Sequence, residues 1–383
     1  MTTKNGIDRL LGEDFGLSGK RLGLITNHTG LSSALLSSID ILRESFDLRA
    51  LFGPEHGVRG DIDAGAAVES CRDARTGLPV YSLYGAGQSG ESFRPNPAML
   101  EDIDLLLIDI QNIGCRFYTY ESTMYNAMEV CAETGKTFVV LDRINPINGV
   151  DVEGNIPDPS FRSLIGIGPL PQRHGMTMGE LALFFNRECG INCDLKIIPL
   201  EGWKRDQFGD ETGLLWVNPS PNMPGLDAAL LYPGTCFFEG TNVSEGRGTT
   251  RPFEQIGAPW LDAAALADAL NARRSEFPGL IFRPVFFTPA AGKYQGELCR
   301  GVQFHVRERR ALRPVQSALM VLEAIREQAG DQFAWRPPVK GRRFIDLLAG
   351  TDALRCGSLS VYRESCESGG AVFAEKRREY LLY

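Results

Sequence analysis

The sequence predicts an α/β fold, a Rossmann-like parallel sheet followed by a smaller α+β unit. Two observations carry this. Continuous apolar runs such as DLLLIDIQ (104–111) and KTFVVLDR (136–143) lack the alternation of a half-exposed strand, so they fit strands buried on both faces. Between them lie stretches with helical apolar spacing, and strands alternating with helices specify a parallel sheet covered on both sides.

The elements follow in order. RLGLITN (21–27) is a strand ending in polar residues, and 35–45 is a helix. LRALFGPE (48–55) and VYSLYG (80–85) are the next strands, then 104–111. Residues 120–134 are a helix with Met124, Ala127, Met128 and Cys131 inward, followed by the strand at 136–143. A helix at 177–188 buries Leu181, Phe184 and Phe185, and 193–200 is a strand. Residues 217–257 are rich in Gly, Pro, Asn and Ser and show little periodicity, which marks a functional loop region. Helices at 259–274 and 314–328 flank strands at 280–287 and 301–307. The expected division is a catalytic Rossmann-like domain over 1–250 and an auxiliary α+β domain over 251–383.

Composition narrows the function. The chain has 383 residues, with 40 Lys and Arg against 48 Asp and Glu, a net charge of −8 that disfavours a nucleic-acid partner. No apolar stretch approaches membrane-spanning length. The start, MTTKNGIDRLLGEDFG, lacks the apolar core of a secretory leader, so a cytoplasmic location is expected, or export if a leader has been removed. The nine cysteines are scattered without a CxxC pair and read as reduced side chains. No G-x-G-x-x-G follows the first strand; TNHTG (26–30) stands there, so no dinucleotide cofactor is expected.

The polar residues gather at the strand ends: Asn27 and His28, Glu55 and His56, Asp109 and Gln111, then Asp142, Arg143 and Asn145. In an open parallel sheet these ends form the ligand crevice, although Asp and Asn there also cap helices and tie loops. In GPEHG (53–57), Pro54 stiffens the exit from the strand and Gly57 lets the chain turn. Burial of a carboxyl favours its protonated form, so Glu55 is a candidate general acid, with an ion pair to Arg59 as the structural alternative. In RFYTY (116–120), Arg116 suits a carboxylate, while Tyr118 and Tyr120 suit a sugar or simple packing. NPSPN (218–222) and GTNVSEGRGT (240–249) are unusual loops. They offer Asn218, Asn242, Glu245 as a second carboxylate and Arg247 as an anion clamp. A metal centre would need His28, His56, Asp109 and His174 to converge. With only four histidines and no HExxH spacing, no metal is expected.

These motifs together resemble the exo-β-N-acetylmuramidase (NamZ-like) family of glycoside hydrolases. The resemblance rests on GLITNHTG (23–30), FGPEHGVRG (52–60), DLLLIDIQNIGCRFYTY (104–120), VVLDRINPING (139–149), HGMTMGELA (174–182), WVNPSPNMP (216–224) and YPGTCFFEGTNVSEGRGTTRPFEQIGAPW (232–260). It implies removal of non-reducing terminal N-acetylmuramic acid from peptidoglycan fragments, in a cleft between a Rossmann-like domain and an auxiliary one. It implies that Glu55, in the PEHG motif, is the catalytic carboxyl. Two departures stand out: members are often exported, and Ile144 replaces a frequent proline.

Such a substrate carries a lactyl carboxylate, for which Arg59, Arg116, Arg143 and Arg247 are candidates, and an acetamido group, for which Asn27, Asn145 and Asn242 are candidates. Glycoside hydrolysis pairs an acid with a second carboxylate. Here that partner is among Asp109, Glu245 and Glu121, or is replaced by the substrate's own acetamido group. The alternatives are a metal-dependent hydrolase using His28, Glu55, His56 and His174, and a non-catalytic protein that binds cell-wall sugars.

Overall fold

The computed structural model describes residues 3–55, 57–59, 71–83 and 93–383. In chain order the sheet elements of the first half are β1 (Arg21–Thr26), β2 (Asp47–Gly53), β3 (Cys71–Arg72), β4 (Pro79–Ser82), β5 (Leu105–Asp109), β6 (Thr137–Leu141) and β7 (Leu195–Ile198). The helices there are α1 (Gly6–Leu10), α2 (Ser38–Ser45), α3 (Tyr120–Thr134) and α4 (Met178–Glu188). Among the described residues these strands form one sheet of order β3-β4-β2-β1-β5-β6-β7, parallel except for β3. From β1 the chain builds outward through β2, then crosses back to place β5 on the other side of β1. That reversal opens a crevice at the carboxyl ends of β1 and β5.

The apolar runs explain the layers. Successive residues of a strand face opposite sides. Ile25, Leu106, Ile108, Phe138 and Val140 join the large core that continues into the second half. Leu24, Leu105, Leu107, Val139 and Leu141 join a smaller core with Ile7 of α1 and Ile39 and Leu42 of α2. Neither face is free for water, which is why the strands show no polar alternation.

The second half holds α5 (Leu226–Thr235), β8 (Gln255–Ala258), α6 (Ala263–Ala272), β9 (Leu280–Phe287), β10 (Cys299–Val306), α7 (Pro314–Ala329), α8 (Phe344–Ala349), α9 (Ala353–Cys356) and α10 (Leu359–Lys376). A three-stranded antiparallel sheet, β8-β10-β9, carries α6. Three elements depart from the sequence expectation. The stretch read as loop contains α5 and β8. The helix expected from 259 starts at Ala263, where the Asp262 carboxylate accepts from the Ala264 and Ala265 amides. Helix α5 is buried from Ala228 to Thr235 and so presents no polar face to give it a period.

Two charged side chains tie the halves together. Arg116, buried after β5, donates through Nη1 to the carbonyls of Asn155 (2.8 Å) and Leu170 (2.7 Å). Its Nη2 donates to the carbonyl of Leu348 in α8 (2.7 Å). Burial lowers the pKa of this guanidinium. Glu153 accepts from the Gln316 amide in the first turn of α7 (2.7 Å), while its other oxygen is buried without a partner. Burial pushes its carboxyl up to about 7.

Two measurements check this account. Replacing Arg116 with Met strands buried carbonyls, so it is expected to cost about 3 kcal/mol or more, read as a lowered thermal midpoint. A midpoint equal to wild type contradicts the tie. Because the Glu153 carboxyl is raised in the folded state, its share of stability is present below its unfolded pKa, about 4.5, and is lost as pH rises through about 7. Glu153→Gln is therefore expected to gain midpoint relative to wild type at pH 8 but not at pH 4. An equal difference at both pH values contradicts the assignment.

Candidate active site

The cavity of interest lies beyond the carboxyl ends of β2 and β5, between the two halves. It encloses about 620 Å³. Its first wall is the turn after β2. Pro54 ends the strand, and the Gly57 amide closes the turn by donating to the Pro54 carbonyl (3.0 Å). Glu55 sits on this turn and lines the cavity, where the Thr119 hydroxyl donates to its Oε2 (2.7 Å).

The second wall is the segment that leads from β5 into α3. Arg116, anchored from behind, fixes the backbone that presents Phe117, Tyr118, Thr119 and Tyr120 to the cavity. The Tyr118 ring packs edge-on against Tyr120 at 5.2 Å and Tyr232 at 5.9 Å. The Tyr120 hydroxyl accepts from Asn27 Nδ2 and donates to the Pro219 carbonyl, each at 2.7 Å. Asn27 in turn accepts from the Thr29 amide and hydroxyl, so it holds Tyr120 from behind the cavity. The buried Tyr118 hydroxyl makes no hydrogen bond among the described residues, with the Ser220 side chain beside it. Burial raises the pKa of both phenols, so both remain proton donors.

The third wall comes from the second half. Glu239, Arg247 and Phe253 line the cavity, with Phe344 and Leu347 of α8 opposite. Arg247 Nε donates to Glu239 Oε1 (2.7 Å). The loop bearing Arg247 needs glycine at 246, where φ is +80° and an added Cβ would meet the Arg251 and Gln255 carbonyls at 2.8 Å.

Of the residues singled out in the sequence, Glu55, Tyr118, Tyr120 and Arg247 meet in this cavity, and Asn27 supports it. His56 lies outside the described residues. The others are placed elsewhere, each for a physical reason. Glu245 is buried and held by Lys293 (2.9 Å), which also donates to the Phe238 and Val243 carbonyls. Asp109 and Arg143 form a buried two-pronged ion pair (2.5 and 2.9 Å) beneath the sheet edge. Arg59 is engaged likewise by Asp73 (3.0 and 3.0 Å) and holds that carboxyl down to about 2. Arg116 is spent on backbone carbonyls.

Asn145 donates to the Met176 carbonyl and accepts from the Ile147 amide. His174 is buried. Its Nδ1 accepts from the Met176 amide, so Nε2 carries the proton and donates to Glu121 (2.8 Å). His28 Nε2 meets the carbonyl of Asn218 (2.6 Å), whose side chain accepts from Trp216. Asn242 pairs with Gln332 and Ala334. Gln111 and Arg143 border a separate pocket of about 140 Å³ beside Leu31 and Trp216. Among the described residues no three His, Cys, Asp or Glu side chains converge on a metal-sized site, and no helix is long and apolar enough to cross a membrane.

Sequence reasoning missed Glu239, Thr119 and the α8 residues. Glu239 and Thr119 lie inside quoted motifs, Glu239 8 residues before Arg247 and Thr119 between Tyr118 and Tyr120, so closeness to those candidates in the chain was the available signal. Nothing in the sequence marks Phe344 or Leu347.

The chain is similar to known proteins over nearly its whole length. Residues 22–227 match the family model described as "Exo-beta-N-acetylmuramidase NamZ, N-terminal", and 230–383 match its C-terminal counterpart. The peptidoglycan beta-N-acetylmuramidase NamZ of Bacillus subtilis (strain 168) is 45% identical over 389 residues, covering 99% of this chain and 91% of that protein. Two crystal structures of DUF1343 family proteins from Bacteroides fragilis superpose over 100% of this chain and 99% of theirs, with TM-scores of 0.90 and 0.79 at 38% and 31% identity. With both family models covering nearly its whole length, the chain belongs to the NamZ family of exo-β-N-acetylmuramidases.

Proposed function

We propose that the cavity between the two halves is where this glycosidase, an exo-acting β-N-acetylmuramidase, releases non-reducing terminal N-acetylmuramic acid from peptidoglycan fragments, with Glu55 as the general acid. The observation that carries the assignment is the placement of Glu55. It is a carboxyl on a proline-stiffened turn, lining the cavity and oriented by the Thr119 hydroxyl. Glu55 gives its proton to the glycosidic oxygen as the bond from that oxygen to the anomeric carbon breaks, so the departing sugar leaves as a neutral alcohol. The aromatic wall of Tyr118, Tyr120 and Phe117 offers the flat, partly apolar surface that a pyranose ring packs against.

The second group is narrowed by elimination among the described carboxylates. Asp109 is engaged by Arg143, Glu245 by Lys293 and Glu121 by His174. Glu239 is the other carboxylate on the cavity surface, and it is held by Arg247 and accepts from the Cys236 thiol. Among the described groups, this favours the substrate's own acetamido oxygen, which needs no free protein carboxylate, as the group that reaches the anomeric carbon. A cytoplasmic place in the turnover of wall fragments belongs to the same reading. It is supported by the nine cysteines, none of which forms a disulfide.

The test uses a chromogenic N-acetylmuramic acid glycoside. Wild type is expected to release the chromophore, and Glu55→Gln to turn over at least ~10²-fold more slowly with its thermal midpoint preserved. Near-normal turnover by Glu55→Gln removes it from the role. Cleavage of the N-acetylglucosamine analogue alone overturns the substrate assignment.

A further inference from the structure

We propose that Arg247 selects the carboxylate of the bound sugar and that Glu239 fixes the orientation in which it does so. This rests on the glycosidase reading above and deepens it at the far end of the same sugar.

Arg247 is the one Lys or Arg among the described residues that line the cavity. Its guanidinium is held on two sides. Nε donates to Glu239 Oε1 (2.7 Å), and the guanidinium carbon lies 5.0 Å from the centre of the Phe253 ring. Nη1 and Nη2 make no hydrogen bond within the described residues, so the outer edge of the fork is open. Two parallel N–H donors in a fixed plane match the two oxygens of a carboxylate, and a lysine ammonium has no such edge.

Its neighbours secure the charge. Burial opposes it, but the Glu239 and Glu245 carboxylates outweigh burial and raise the pKa of the guanidinium. Glu245, 3.7 Å from Nε, is itself matched by Lys293 at 2.9 Å, so it does not compete strongly for the open edge. Glu239 acts through Arg247 and is a positioning residue. The arrangement also rejects. A sugar with a hydroxyl where the acid should be leaves a desolvated guanidinium edge unpaired, and that penalty falls on the wrong substrate.

The experiment compares kcat/KM for the p-nitrophenyl glycoside of N-acetylmuramic acid with that for its lactyl methyl ester. Wild type is expected to prefer the acid by about 10- to 10²-fold, the range for a hydrogen bond to a charged group. Arg247→Gln is expected to bring the ratio close to one, and Arg247→Lys to restore part of it. Glu239→Gln is expected to give an intermediate ratio through KM rather than kcat.

An Arg247→Gln protein that melts like wild type and keeps the wild-type ratio overturns the proposal. So does an equal loss of kcat on both substrates in Glu239→Gln, because that marks Glu239 as part of the chemistry. A wild-type ratio of one overturns the proposal without any variant. Wild-type inactivity on both glycosides strikes the glycosidase reading itself, so the two failures are distinguishable.

Discussion

One buried guanidinium holds the cavity in shape. Arg116 leaves β5 pointing away from the substrate space, and its three hydrogen bonds to backbone carbonyls join three separate stretches of chain at one point. One of those carbonyls belongs to Leu348 in α8, the helix whose Phe344 and Leu347 form the opposite wall. The same side chain therefore sets the position of the Phe117–Tyr120 wall and of the wall facing it. A charge buried this deeply is tolerated because carbonyl dipoles replace the lost water, and its removal leaves those carbonyls without partners.

The polar groups around the cavity divide into those paired away from it and those that line it. Asp109 with Arg143, Arg59 with Asp73 and Glu245 with Lys293 neutralise one another away from the substrate space. What reaches the cavity is a short set: Glu55 beside a threonine hydroxyl, two protonated phenols, and an arginine tied at one edge by Glu239. The buried pairs set the backbone, and the proposed chemistry falls to the groups that line the cavity. In the proposed reading, this separation lets an acidic protein of net charge −8 offer a fixed cation to an anionic sugar.

The sheet was legible in the sequence because its physics is local. Strands buried on both faces must be apolar without interruption, and β5, β6 and the central residues of β1 read that way, as does the second half of β2. Helix α5 was not legible because it is buried all round and encloses Pro233, so it shows neither a polar face nor an uninterrupted helical composition. At the site, polar residues at strand ends pointed to the edge of the sheet where the proposed cavity lies. They did not say which of them turn inward, since Asp109 and Glu55 carry the same signal and only one faces the cavity. The pairing that separates them depends on Arg143 and Thr119, which approach through the tertiary fold. Glu239 escaped notice because it ends an aromatic run and reads as packing.

The most direct measurement is a crystal structure of the Glu55→Gln protein soaked with an N-acetylmuramic acid glycoside. The account predicts the sugar in the cavity between the halves, with its glycosidic oxygen about 3 Å from the substituted side chain and its lactyl carboxylate on the open edge of Arg247. A sugar seated instead in the pocket bordered by Gln111 and Trp216, or one whose glycosidic oxygen faces away from residue 55, would contradict it.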